Sequence, residues 1–546
     1  MHHWGPKSQP FLFCSLAKLQ PLRISPTLSL SLTNTTIYCL PSILDLHHHI
    51  SSYSSSRSTM AGANPLLQFF LLFLFLVCLA TCGNGVQGFR EKNKVLDLQE
   101  FRSKQHGGTG TRTSACLSQK SRKEKGATIL EIKHRDYCSA GKIVNWNKKQ
   151  QKRLMLDDLH VRFLQSQFRN RISGIATKDV SEAQIPLTSG VMLETLNYIV
   201  TVELGGRNMT VIVDTGSDLT WVQCRPCKLC YNQQEPLFNP SESKSYHSVL
   251  CNSTNCQALQ FATGNSGVCG SNPQTCNYVV NYGDGSYTRG ELARDHLILG
   301  TTLVDNFVFG CGRNNKGLFG GASGLMGLGR SDGLSVVSQT SGLFGGVFSY
   351  CLPSTEAAES GSLVMGGDSS IYKNTTPISY TRMVTNPQLS TFYFLNLTSI
   401  SIGGVALQVP SFASGGILID SGTVISRLPP SVFKAIKAEF LKQFSGYPPA
   451  PGFSILDTCF NLSSYQEVNI PTMKMHFEGD AELTVDVTGI FYMVKTDASQ
   501  ICLALASLSY EDEVAIIGNY QQRNQRVVYN TKESKLGFAE ESCSFI

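Results

Sequence analysis

From Ile185 to the C-terminus, apolar and polar positions follow one another in short runs such as YIVTVEL, TVELGG and RVVYN, separated by glycine-bearing stretches. Runs of this length, rich in β-branched and aromatic residues, predict strands joined by turns. Upstream, KKQQKRLMLDDLHVRFLQSQFRNRI sets Leu156, Leu159 and Phe163 at helical spacing and predicts a helix in a segment that is otherwise basic and polar. Further upstream, Phe69 to Ala80 is unbroken apolar sequence followed by small and polar residues. That stretch fits a signal-peptide core, since a bilayer span needs about 18 or more apolar residues. The C-terminal FAEESCSFI carries no apolar tail of the kind a lipid anchor requires. The pattern predicts an all-β protein with a removable N-terminal region and no stable membrane anchor.

A chain of 546 residues, 42% hydrophobic and 16% charged, is too long for one simple domain, and an internal duplication shows how it divides. Val213-Asp214-Thr215-Gly216-Ser217 follows the apolar run TVIV, and Ile419-Asp420-Ser421-Gly422-Thr423 follows GGILI. Each is followed much later by two apolar residues and a glycine, Leu325-Met326-Gly327 and Ile516-Ile517-Gly518. Two related lobes are expected, 184–378 and 379–546. Ahead of them come a basic segment at 89–183, with a disordered linker as the alternative reading, and a signal peptide at 60–88. Residues 1–59 form a Ser-rich, His-tracted leader whose single acidic residue is Asp45. Met60 reads as the start of the protein, and a plastid transit segment is the alternative for the leader.

Twelve of the 18 cysteines lie beyond residue 150: Cys224, Cys227, Cys230, Cys251, Cys256, Cys269, Cys276, Cys311, Cys351, Cys459, Cys502 and Cys543. An even dozen suits six disulfides and the secretory pathway, extracellular or vacuolar. The sequons at Asn34, Asn208, Asn252, Asn374, Asn396 and Asn461 point the same way. Cys-x-x-Cys spacing in CRPCKLC also suits zinc, but an oxidising compartment makes disulfides the better account, and no metal is expected.

Two carboxylates close enough to share a proton can hydrolyse a peptide bond with neither a metal nor a covalent nucleophile. One activates water while the other, protonated, donates to the developing oxyanion and the leaving amine. Asp214 and Asp420 are that pair. Gly216 and Gly422 allow each loop to turn tightly, and Thr215, Ser217, Ser421 and Thr423 offer hydroxyls to fix the carboxylates. Other hydrolytic chemistries find no footing. No HExxH occurs, no Gly-x-Ser-x-Gly elbow precedes a helix, and Gly324 to Gly329 lacks the lysine and helix of a nucleotide loop.

On these motifs the chain resembles the pepsin-like aspartic peptidases, and most closely their plant nepenthesin-like branch, over Tyr198 to Ala539. DTGSDLTWVQC and IDSGT are similar to the two catalytic loops, and YGDGS to the flap of this branch. The resemblance implies a bilobal β fold with a cleft between the lobes, and a flap tyrosine at Tyr282 with Gly283 to Ser286 at the hairpin tip. It further implies a partnering tryptophan at Trp221, a bridge between Cys459 and Cys502, and no cofactor. Asp284 departs from the wider pepsin pattern, so peptide preference does not transfer. LEIKHRD, at Leu130 to Asp136, is similar to a prosegment signature of plant members. The expected activity is acid endopeptidase hydrolysis by a monomer made as a zymogen, with polypeptide substrates, its own prosegment as intramolecular inhibitor and no nucleic acid partner. A non-catalytic binding protein on the same fold, like the xylanase-inhibitor relatives, is the alternative. Charge supports prosegment inhibition: residues 89–182 carry a net +11 and residues 183–546 a net −8. Lysines such as Lys148, Lys149 or Lys152 are expected against the two carboxylates.

Overall fold

Strand Arg207–Asp214 pairs antiparallel with Tyr198–Leu204 and parallel with Gly324–Gly327, which sets Met326 beside Val213 and Gly327 beside Asp214. In the second half, Ile417–Ile419 runs parallel to Ile516–Ile517, with Ile517 beside Ile419. The apolar pair and glycine that recur after each Asp motif are therefore the strand next to the Asp-bearing strand in both halves. The last six residues of Arg207–Asp214 are all buried, as are all three of Ile417–Ile419. A strand buried on both faces reads as a continuous apolar run, which is the form TVIV and GILI take.

The computed structural model describes residues 93–105, 119–134, 145–172, 198–270, 274–282, 286–317, 319–354, 360–372, 375–407 and 416–545. The leader, the signal peptide, Asn34, Gly283 and Asn374 lie outside them. Within Gln87–Ile546, which forms one compact unit, the described residues are mostly strand, in the all-β class expected. Among them no helix is long and apolar enough to cross a membrane.

An antiparallel sheet of strands Ser379–Val384, Lys535–Glu540, Gln525–Asn530, Val347–Cys351 and Gly361–Met365 draws residues from both halves of the chain. The basic segment extends it. Strand Ala127–His134, buried at every position, pairs with Gly361–Met365 on one side and with Ser121–Glu124 on the other. The hairpin closes through Lys125 (φ 47°) and Gly126 (φ 81°), two successive positive φ values that match the twist of the flanking strands. At its far end the strand reaches Tyr198–Leu204, with His134 opposite Tyr198.

Helix Trp146–Ile172, 27 residues long, follows. Its inward face is Gln150, Arg153, Leu154, Asp157, Val161, Leu164, Gln165 and Phe168, all buried and spaced three or four residues apart. Leu156 is buried too, but Leu159 and Phe163 are only partly covered. Leu154 packs with Val424, Ile425, Tyr492 and Tyr520. Val161, Leu164 and Phe168 pack with Phe392, Phe394, Leu418 and Ile516, and the rings of Phe168 and Phe392 meet edge to face at 5.0 Å.

Candidate active site

Each aspartate is held by the backbone and hydroxyls of its own loop. The amide of Gly216 donates to Asp214 Oδ1 at 2.9 Å, and Ser217 Oγ donates to Oδ2 at 2.6 Å. Equivalently, the amide of Gly422 donates to Asp420 Oδ1 at 2.9 Å, while Thr423 donates to Oδ2 from Oγ1 at 2.7 Å and from its amide at 3.0 Å. The loops also grip one another: Thr215 N donates to Ser421 Oγ at 3.1 Å, and Ser421 N to Thr215 Oγ1 at 2.9 Å. This reciprocal pair, related by the duplication, brings the carboxyl groups face to face.

The glycines are required by that approach. A Cβ at Gly216 would lie 2.8 Å from Asp420 Oδ1, and one at Gly422 would lie 2.6 Å from Asp214 Oδ1. Any side chain there would occupy the space of the opposite carboxylate. Asp420 has no exposed surface, and Asp214 is 7% exposed.

Burial, with the charge of Asp420 next, lifts Asp214 to about 6 against the opposing hydrogen bonds from Ser217 and Gly216. Burial also pushes Asp420 upward, but the polar contact and charge of His160, 3.6 Å away, with help from Thr423 and Gly422, outweigh it and hold this carboxyl below its ordinary range. Two neighbouring carboxyls are thus driven apart in acidity, and Asp214 is the one that takes up the first proton as pH falls.

Trp221, fully buried, donates from Nε1 to the hydroxyl of Tyr282 at 2.7 Å. Phe319 supports both rings, edge to face with Trp221 at 4.9 Å and with Tyr282 at 5.6 Å. The amide of Tyr282 donates to the carbonyl of Ser286 at 2.7 Å across the base of the hairpin.

The cation set against Asp420 is His160 rather than Lys148, Lys149 or Lys152, with Nε2 3.6 Å from Asp420 Oδ2. Those lysines sit on the first two turns of the helix, about 12 to 18 Å along its axis from His160 at 1.5 Å per residue. Charge counting could find the basic segment but not the residue, because reach depends on which face of the helix docks. Burial by itself lowers the imidazole, but the pairing with Asp420 and the charges of Asp214 and Asp157 overcome it and lift His160 to about 9.

One turn earlier, Asp157 accepts from Val424 N at 2.7 Å and Ile425 N at 3.2 Å, and pairs with Arg427 Nη2 at 2.8 Å. Gln165 exchanges hydrogen bonds with the backbone of Val514, at 2.7 and 2.9 Å. None of Asp157, His160, Gln165 or Arg427 stands out in sequence. The three-residue offset of Asp157 from His160 is the single trace there of a shared helix face.

The twelve later cysteines are joined as Cys224–Cys311, Cys227–Cys230, Cys251–Cys269, Cys256–Cys276, Cys351–Cys543 and Cys459–Cys502. Six bridges fit an oxidising compartment. Among the described residues, no cluster of His, Cys, Asp and Glu is arranged to hold a metal ion. Of the described sequons, Asn208, Asn252 and Asn396 are exposed and Asn461 is half-buried.

Comparison with known proteins agrees with this geometry. Two family profiles, described as Xylanase inhibitor N-terminal and Xylanase inhibitor C-terminal, match residues 198–367 and 392–540. An aspartyl protease family protein of Arabidopsis thaliana is 44% identical over 400 residues, covering 72% of this chain and 82% of its own. Aspartic proteinase nepenthesin-1 of Nepenthes gracilis is 36% identical over 360 residues, covering 63% of this chain and 78% of its own. The crystal structure of soybean Basic 7S globulin superposes with a TM-score of 0.51 at 22% identity, covering 64% of this chain and 95% of that one, a likeness of fold alone. With its duplicated Asp loops and bilobal all-β fold, the chain belongs to the pepsin-like aspartic peptidase family of plants, the family that includes the nepenthesins.

Proposed function

We propose that the protein is an acid endopeptidase made as a zymogen, with Asp214 and Asp420 as its catalytic pair. The observation that carries this reading is the reciprocal Thr215–Ser421 grip, which holds two carboxyl groups face to face with opposed shifts in acidity. Like charges about 3 Å apart cannot both ionise, so between the two shifted values the pair holds one proton. A water bound between them loses a proton to the ionised carboxylate as it attacks the scissile carbonyl. The protonated partner donates to the carbonyl oxygen, and a proton then passes to the leaving amine. Tyr282, steadied by Trp221, closes over the substrate from the flap and excludes water.

The alternative of a non-catalytic binding protein shares the fold and the profile names. Both aspartates, both close-packed glycines and the Trp221–Tyr282 bond favour the enzyme, because a binding protein has no need of a proton-sharing pair. Release of peptides from an acid-denatured protein at pH 3.5 by the processed chain, blocked by a transition-state analogue inhibitor of aspartic peptidases, tests the choice. An intact substrate would decide for the binding protein.

Residues 89–183 act in this proposal as an intramolecular inhibitor. Strand Ala127–His134 completes the sheet shared by both halves, and helix Trp146–Ile172 sets His160 against Asp420. A group paired with a catalytic carboxylate excludes both water and substrate. The enzyme is a monomer that acts on polypeptides and is delivered through the secretory pathway to the cell exterior or the vacuole, with glycans at the exposed sequons. Expression from Met60, followed by analysis of the mature N-terminus and its sugars, checks this route; import into plastids without glycans overturns it.

A further inference from the structure

The contact of Asp157 with the body of the protein is a built site for a carboxylate. Three donors converge on this one side chain: the amides of Val424 and Ile425 at 2.7 and 3.2 Å, and the Arg427 guanidinium at 2.8 Å. Arg427 is 1% exposed, and its other arm donates to the carbonyl of Ile425 at 2.7 Å. The guanidinium is therefore held by its own strand and keeps its aim when the helix is gone. Beside it, Val424, Ile425, Tyr492 and Tyr520 form the apolar floor on which Leu154 rests. Charged groups around this place are Asp157, His160 and the buried Arg153 from the helix, Asp420 from the neighbouring loop, and Arg523, whose guanidinium stacks 3.6 Å over the Tyr520 ring.

Removal of the helix takes away Asp157 and leaves a guanidinium and two backbone donors without their acceptor in a largely apolar recess. An arginine does not lose its proton at any working pH, so the recess stays cationic. Donors left without an acceptor in low dielectric are costly, and a new carboxylate restores the lost bonds. We infer that Val424, Ile425 and Arg427 form a substrate subsite in the mature enzyme that selects an acidic side chain, aspartate or glutamate, close to the scissile bond. In the zymogen Asp157 occupies it as a substrate mimic.

The subsite lies near the chemistry. Asp157 is three residues from His160, about 4.5 Å along the helix axis, and His160 is 3.6 Å from Asp420. An extended peptide advances about 3.3 Å per residue, so the acidic residue falls within about three positions of the cleaved bond. Pairing requires the ionised side chain, so the preference strengthens as pH rises through about 4, the ordinary range of Asp and Glu.

This inference rests on the endopeptidase reading, and the test separates the two. Chain processed from the full-length protein is given peptides that differ only by Glu or Gln at each of the three positions on either side of the scissile bond, at pH 3 and at pH 5. At one position Glu should exceed Gln in kcat/KM by roughly tenfold at pH 5, the scale of one charge-assisted pair, and by much less at pH 3. In Arg427→Gln that ratio should fall to near one, while Arg427→Lys keeps part of it. Neutral peptides cleaved with no Glu preference at any position overturn the subsite and leave the endopeptidase reading standing. So does a preference that survives in Arg427→Gln. If no peptide is cleaved, the endopeptidase reading fails by itself, and the recess is read by binding of a synthetic 150–168 segment to the processed chain. Roughly tenfold weaker binding of the Asp157→Asn segment then supports a carboxylate site, and equal binding overturns it.

Discussion

His160 Nε2 lies 3.6 Å from Asp420 Oδ2, so a histidine of the N-terminal basic region is paired with one of the two carboxyls at the centre of the cleft. In the zymogen proposed above, this pairing sets how acid loosens the segment. His160, lifted to about 9, contributes stability that is complete below its ordinary 6.5 and is lost only as pH rises through about 9. It stays charged throughout the acid range. Asp420, held below its ordinary 3.8, contributes stability that is complete above 3.8 and is lost as pH falls through its depressed value. Protonation of Asp214 near 6 removes a repulsion between the carboxyls and also one of the charges that attract His160, while the pairing of His160 with Asp420 remains.

Self-shortening of the full-length chain should therefore begin only when pH falls below about 4. In His160→Gln, Asp420 loses its depressing partner, and the midpoint should move upward. Mass spectrometry of the full chain over pH 7 to 3 reads the midpoint. An unchanged value in His160→Gln removes His160 from the lock.

Asp214→Asn and Asp420→Asn should each lower peptide hydrolysis by at least about a thousandfold, because each removes one member of a proton-sharing pair while keeping its shape. Thermal unfolding of Asp214→Asn should stay within a few degrees of the parent, since the amide still accepts from Ser217 through its oxygen, whereas Asp420→Asn also loses its pairing with His160 and should unfold earlier in the full-length chain. Substantial residual activity in either variant would falsify the proposed chemistry.

Gly422→Ala adds a single methyl group 2.6 Å from Asp214 Oδ1, inside contact distance, so one loop must retreat. A displacement approaching 1 Å at reacting groups costs about a hundredfold in rate. The expected outcome is a loss of that order in kcat, with the two disulfides nearest the C-terminus, Cys351–Cys543 and Cys459–Cys502, still formed. Wild-type kcat in Gly422→Ala would show that the loops do not need this approach.

Trp221→Phe deletes the 2.7 Å bond to the Tyr282 hydroxyl but keeps most of the buried ring. One neutral hydrogen bond corresponds to about 1 kcal/mol, so kcat/KM should fall about fivefold. Tyr282→Ala removes the ring itself and should cost roughly ten- to a hundredfold through lost alignment. Equal losses in the two variants would mean that the bond, and not the ring, positions substrate.

The all-β class, the two related halves and the Asp214 and Asp420 loops are legible in one dimension because the physics behind them is local or repeated. Alternating apolar residues announce strands, and a duplicated loop announces itself by its second copy. The helix of the basic segment is legible for the same reason, since helical periodicity is local. Its docking face is not. Leu159 and Phe163, which keep the helical spacing, are only partly covered, while the polar Gln150, Asp157 and Gln165 are buried. Those three find partners in Tyr492, Arg427 and Val514, more than 200 residues away in sequence. A polar residue reads as a surface residue until its partner is known.

Composition, periodicity and repetition are written along the chain, and they suffice for the fold class, the candidate carboxyl pair and a basic segment joined to an acidic body. That His160, and not a lysine, meets Asp420, and that Asp157 is held by Arg427 and two backbone amides, follows from three-dimensional packing alone. Net charge acts over many residues and draws the segment toward the body, but an ion pair forms over 3 to 4 Å. Which side chain arrives at that distance is set by the rotation and register of a packed helix, and these exist only once the chain has folded.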